Sequence, residues 1–181
     1  MIYGKDVRLR AIERDDLPRF VSWFNDPEVR EGLNQFLPMS LVEEEKWFED
    51  LLSREPVEKP FAIDVLEDEA WVHVGSAGLF TFDHQARRAE LGIAIGAKKY
   101  WDRGYGTNAV RLLLRHAFEN LNLNRVSLVV FESNPRAIHV YKKAGFFEEG
   151  KMREFHFSGG KYCDTLMMSV LRREWESSEN G

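Results

Sequence analysis

The chain has 181 residues, with 25 Lys and Arg against 30 Asp and Glu and 44% apolar residues. At this length folding buries about 70% of the unfolded surface, so one domain holds together without disulfides or structural metal, and the apolar content excludes a disordered chain. The net charge of −5 sets no phosphate-attracting field over the surface and argues against nucleic acid as a partner.

In chain order, Val7 to Ile12 alternates Val7, Leu9 and Ala11 with Arg8 and Arg10, the pattern of a half-buried strand. Asp15 or Asp16 caps a helix whose Leu17, Phe20, Val21 and Phe24 recur at helical spacing until Asn25-Asp26-Pro27 ends it. Ser40 and Glu43 form a capping box for a second helix to about Arg54, with Trp47, Phe48 and Leu51 in its apolar stripe. Its acidic run, Glu43-Glu44-Glu45, falls on the outer, solvated side.

The period then changes. Phe61 to Leu66, Val72 to Phe82 and Arg88 to Ile95 predict an antiparallel meander with turns at Asp68 and His84. Gly104 to Phe118 returns to helical spacing, and Arg125 to Phe131 is an apolar strand. Pro135 opens a short helix from about Asn134 to Ala144, stopped by Gly145. Phe147 to Phe157 and Tyr162 to Leu171 are strands of a hairpin through Gly159 and Gly160, and the stretch from Glu174 to Gly181 is a loose polar tail. The domain therefore spans 1–173 and its class is α+β.

Trp101 to Val110, WDRGYGTNAV, puts two glycines at the mouth of a helix. Unpaired N–H groups of the first turn attract anions there, and Arg103, Lys98 and Lys99 add positive charge. Gly104, Gly106 and Ala109 also satisfy a dinucleotide pattern, with Glu132 after the next strand. Against a nicotinamide or flavin site, eight residues, Gly96 to Arg103, separate the preceding strand from the glycines, and hairpins precede it.

Trp101 to Gly106 resembles the acetyl-coenzyme A signature of the GNAT superfamily of N-acetyltransferases, Q/R-x-x-G-x-G/A, with Trp101 in place of Gln or Arg. Ser133 to Phe146, SNPRAIHVYKKAGF, is similar to the family's second motif, and Val74-Gly75 and Glu90 to Ile95 match its third and fourth strands. Trp23 to Val29 and Glu148 to Met168 resemble the branch containing ribosomal-protein N-terminal and spermidine acetyltransferases. The resemblance implies a mixed, mostly antiparallel sheet of about seven strands flanked by about four helices.

It also implies acetyl-coenzyme A as co-substrate, a primary amine on a small molecule or peptide as acceptor, and direct attack in a ternary complex. A noncatalytic module that senses acetyl-coenzyme A is the other reading of the same motifs. By resemblance, Ile93, Ala94 and Ile95 line the pantetheine arm, Arg103, Gly104, Tyr105, Gly106 and Thr107 hold the pyrophosphate, and Asn134 bonds the arm from the other side. Tyr141 matches the general acid. Some relatives carry a glutamate where Val129 stands here, so Glu90 is the first candidate base and Glu132 the second. Trp23, Phe36 and Trp47 are candidate walls of the acceptor cleft.

The histidines have no metal-ligand spacing, so no metal is implied. The single Cys163 leaves no disulfide and favours a cytoplasmic location. The longest uncharged stretch, Ala70 to Phe82, has 13 residues, too few to cross a membrane, and no secretory signal is visible. The terminal hairpin offers an edge through which two copies can pair as a homodimer.

Overall fold

Eight strands join one sheet in a computed structural model of the chain, which describes residues 1–33 and 35–179. They are β1 (Ile2–Tyr3), β2 (Val7–Ala11), β3 (Phe61–Glu67), β4 (Ala70–Asp83), β5 (Arg88–Ile95), β6 (Arg125–Phe131), β7 (Phe147–Ser158) and β8 (Lys161–Leu171). Their order is β1-β2-β3-β4-β5-β6-β8-β7, antiparallel at every junction except β5 with β6. The hairpin turns are those the polar residues ask for: Asp68 and Glu69 take φ of 48° and 65°, and Gly159 and Gly160 take 58° and 78°.

Helices cover both faces. α4 (Tyr105–Arg115), extended by a π-helical turn at His116–Asn120, and α5 (Pro135–Lys143) pack Leu113, Phe118 and Tyr141 against Leu9, Val74, Val126 and Met168. On the other face α1 (Leu17–Phe24) and α3 (Leu41–Leu52) enclose a second cluster of Leu17, Phe20, Phe48 and Leu51. The capping box at Ser40 forms as the sequence predicts. Among the described residues there are eight strands and six α-helices against about seven and four expected, the additions being β1, the single turn α2 (Pro27–Arg30) and α6 (Arg172–Glu179).

That last helix corrects the loose end expected from Glu174: Trp175 is buried and its ring lies 5.4 Å from Phe118. Asn180 and Gly181, the end of the expected tail, lie outside the described residues. The sheet also differs from a dinucleotide-binding fold, which needs a run of parallel strands at this point; β5 and β6 are the single parallel pair among the described strands.

One irregularity positions the site. β5 and β6 pair only from Arg88 with Arg125 to Glu90 with Ser127, although β5 stays on β4 to Ile95 and β6 stays on β8 to Phe131. The two parallel strands splay into a wedge, and the main chain of β5 beyond Glu90 has no strand partner on that side. Gly75 makes the departure possible: a Cβ there would stand 2.1 Å from the Ala94 carbonyl oxygen. Past the wedge, the N–H groups of Gly96 and Ala97 both donate to the Val74 carbonyl and turn the chain away.

Candidate active site

The wedge opens into a cleft of about 670 Å³. Ile93, Ala94 and Ile95 line one wall, Ser133, Asn134 and the start of α5 the other, and Gly104, Gly106 and Thr107 one end. The loop enters α4 through two left-handed residues, Asp102 at φ 59° and Gly104 at φ 84°. Gly104 is the N-cap and brings no side chain, so no side chain caps the N–H groups of the first turn. At Gly106 a Cβ would meet Val140 at 3.7 Å and Ile95 at 3.9 Å, ordinary contacts. Packing therefore does not demand glycine there, and the space it leaves belongs to the cleft.

The charges differ from those the sequence suggests. Arg103 lies 5.8 Å from the Tyr100 ring and Tyr105 packs edge-on against the same ring at 5.9 Å; neither side chain lines the cleft. Lys98 is taken by Asp26 at 2.7 Å and Glu28 at 3.1 Å, and Lys99 by Glu67 at 3.1 Å. The cations on the wall are Arg136 and Lys143 of α5. Sequence reasoning passed over both, although their seven-residue spacing puts them on the helix face that also carries His139 and Val140. Arg136 stacks on Trp101 at 4.1 Å and reaches Asp102 at 3.2 Å. Trp101 in turn donates from Nε1 to the Ile95 carbonyl at 2.6 Å, tying the glycine loop to the end of β5.

Asn134 caps α5, its Oδ1 accepting from the Ala137 N–H at 3.0 Å, and no acceptor among the described residues takes its Nδ2. The turn after α2 comes in against that amide because residue 32 is glycine; a Cβ there would lie 2.9 Å from Nδ2. Tyr141 lines the cleft at 6% exposure, and its hydroxyl has no hydrogen-bond partner among the described residues. Burial pushes the phenol up to about 12, so it carries its proton at neutral pH.

The candidate bases are placed apart from this cleft. Glu90 is exposed, three residues before Ile93, between Phe80 on β4 and Ser127 on β6. Glu132 is bound to Lys151 at 2.6 Å, and Val129 is an exposed side chain on β6. Among the described residues no His, Cys, Asp and Glu side chains gather into a metal-ligand group.

On the opposite face α1, α3 and the sheet leave a second cavity of about 440 Å³. Ser76 lines it and is the cross-strand partner of Ala94, which lines the first cleft, so a single strand pair lies between the two. Trp47 is on its wall, Phe36 is 78% exposed, and Trp23 packs over Gly96 and lies 5.0 Å from the His73 ring. The acidic run needs correcting: Glu43 turns back to Ser40, accepting from its N–H at 2.9 Å, whereas Glu44 lines the cavity at 4% exposure. Burial alone pushes the Glu44 carboxyl up to about 7. Its helical position one residue from the capping glutamate, on the side of Trp47 and Phe48, is the signal that finds it.

A splayed parallel pair ending at an uncapped, glycine-mouthed helix, with a protonated phenol inside, is a cleft able to hold an anion at one end and to deliver a proton within it. Residues 6–147 match the model of the acetyltransferase (GNAT) domain, and the chain belongs to that family. It is an N-acetyltransferase, with an amine as acceptor and acetyl-coenzyme A as donor. It is 30% identical to the uncharacterized N-acetyltransferase p20 of Bacillus licheniformis, over 96% of this chain and 97% of that one. It is 38% identical to the putative ribosomal N-acetyltransferase YdaF of Bacillus subtilis and 34% to the spermidine N(1)-acetyltransferase of Escherichia coli K12. These two matches cover 58% and 56% of this chain and little more than half of each relative, 57% and 54%. Among solved structures, the spermidine N-acetyltransferase of Vibrio cholerae in complex with CoA and spermine superposes with a TM-score of 0.84 at 27% identity, over 96% of this chain and 99% of that one.

Proposed function

We propose that acetyl-coenzyme A lies in the wedge with its pyrophosphate at the mouth of α4 and its thioester at Tyr141, where a primary amine attacks it directly. The observation that carries this reading is the Tyr141 phenol, unpartnered and protonated inside a cleft whose other end is an uncapped helix terminus. The main-chain groups of Gly104 to Thr107 receive the diphosphate, with Arg136 and Lys143 supplying the charge that Arg103 does not bring to the wall. Ile93 and Ala94 offer the unpaired edge of β5 to the amide-bearing arm, Ile95 lines the same wall with its carbonyl taken by Trp101, and the Asn134 Nδ2 donates from across the wedge.

An alkyl ammonium with a pKa near 10.4 must shed a proton at a cost of about 4.6 kcal/mol at pH 7. Glu90, the cross-strand partner of Phe80 on the wall of the second cavity, takes it directly or through a water. The C–N bond forms, the C–S bond breaks, and the second amine proton ends on sulfur by way of Tyr141. The acceptor is a primary amine of a small molecule or a peptide terminus. The exposed Phe155, Phe157 and Tyr162 of the β7–β8 hairpin suit pairing of two copies, which sedimentation velocity tests.

Tyr141→Phe is expected to lower kcat by about 10²–10³-fold while acetyl-coenzyme A affinity, measured by titration calorimetry, is retained. An unchanged kcat overturns the role. A wild-type chain that binds acetyl-coenzyme A but releases thiol with no amine in a broad panel overturns the whole reading.

A further inference from the structure

We propose that Phe80 determines which acceptor is used: its ring is the floor under a primary alkylamine, with the nitrogen over Gly92 and the apolar tail in the second cavity. This rests on the acetyltransferase reading just given and names the acceptor it left open. Ser76, Gly78 and Phe80 of β4 stand opposite Ala94, Gly92 and Glu90 of β5, and two-residue alternation puts all six on one face of the sheet. Gly78 and Gly92 leave a strip without side chains, and the Phe80 ring lies along it. A Cβ at Gly78 would stand 2.6 Å from the ring Cζ, and one at Gly92 3.1 Å from Cε2.

The backbone directly after the ring is strained. Thr81 takes a φ of 52°, where the β4–β5 register slips between Phe80 and Asp83. A β-branched residue in the left-handed region is an outlier, and a bulge re-aims the side chains beside it.

That face carries the reaction in order. Glu90, Gly92 and Ala94 succeed one another at intervals of about 7 Å: the candidate base, the glycine under the ring, and a wall of the donor cleft. A nitrogen over Gly92 passes its proton to Glu90 directly or through a water, then attacks the thioester as the neutral amine. The carbon chain behind it continues over Phe80 into the second cavity, about 440 Å³ and walled by Phe20, Phe24, Met39 and Trp47. The ring face also attracts the incoming ammonium before it is deprotonated. A peptide terminus fits worse, because its amide groups would be left without partners against those walls.

The test follows thiol release from acetyl-coenzyme A with straight-chain amines from propylamine to hexylamine and with a tetrapeptide that begins with alanine. In the wild type, kcat/KM should rise about threefold to fourfold per added methylene, the effect of burying one CH2, and the tetrapeptide should fall at least about tenfold below hexylamine. Phe80→Ala should raise the KM for hexylamine about ten- to a hundredfold and flatten the series, with kcat little changed and acetyl-coenzyme A affinity retained in calorimetry. Phe80→Leu, apolar but smaller, should recover part of the loss. The wild-type series decides even where Phe80→Ala does not fold. A flat series, a tetrapeptide that outdoes hexylamine, or an unmoved KM in Phe80→Ala overturns the role of Phe80. Thiol release with any amine in those cases leaves the acetyltransferase reading intact; silence with every amine sinks that reading itself.

Discussion

The Glu44 carboxyl, whose pKa burial raises from 4.5 to about 7, makes stability depend on pH. The folded state prefers the neutral form, so the contribution is whole below pH 4.5 and lost as pH rises through 7. Glu44→Gln, which cannot ionise, should therefore match the wild type at pH 4.5 and exceed it by up to about 3 kcal/mol at pH 8, as urea unfolding at the two values would show. A gap independent of pH would mean that Glu44 is solvated. Gly106 offers the converse test: Gly106→Val fills space that only the cleft uses, so acetyl-coenzyme A affinity should fall at least tenfold with little change in unfolding midpoint. At this scale Tyr141, Asn134 and the two glycines were legible because motif residues keep their spacing along the chain. Glu44 was not, because three successive glutamates differ only in which way the helix turns them. Lys98 and Lys99 face elsewhere for a related reason: a cation next to a motif is drawn off by whichever carboxylate folding brings closer, while Arg103 turns to the Tyr100 ring.

Among elements, the wedge depends on how β2, β3 and β4 hold β5. Gly75→Ala puts a methyl 2.1 Å from the Ala94 carbonyl, so β5 must shift; both stability and acetyl-coenzyme A affinity should drop, unlike Gly106→Val, which should cost affinity alone. The start of α1 is held by a buried charge cluster. Arg10 reaches Asp16 at 2.7 Å and Asp64 at 3.0 Å, Arg8 reaches Asp64 at 2.8 Å, and His73 lies 3.0 Å from Asp16 and 3.0 Å from the Gly75 carbonyl. Burial by itself would raise the Asp16 carboxyl, but hydrogen bonds from Arg10 and His73 hold it far below the usual carboxylate range. Its stabilisation is thus present above about pH 4 and lost on acidification. Asp16→Asn takes a carboxylate away from the Arg10 and Arg19 guanidinium groups and should cost roughly 3–5 kcal/mol at pH 7, with a smaller cost near pH 3. The alternation of Arg8 and Arg10 announced a strand correctly; that these arginines pair inward was hidden, since their acids lie on other elements.

For the molecule as a whole, the closing helix α6 is the clearest test of what seals the fold. Trp175 covers Phe118 beyond the end of α4, so Trp175→Ala should cost roughly 3 kcal/mol and lower the melting temperature by roughly 5–10 °C, while the KM for acetyl-coenzyme A, whose proposed site is at the opposite end of α4, should stay unchanged. The residues by themselves determined the order of elements, their turns and caps, the family and the glycine-mouthed helix, since hydrophobic period and turn chemistry act over a few neighbouring residues. Only the tertiary structure decided where β5 and β6 part, which cations face the cleft, that the polar end folds back as a helix, and that Glu44 is enclosed. Each of these depends on contacts between segments distant in the chain, where burial and charge pairing outweigh local preference.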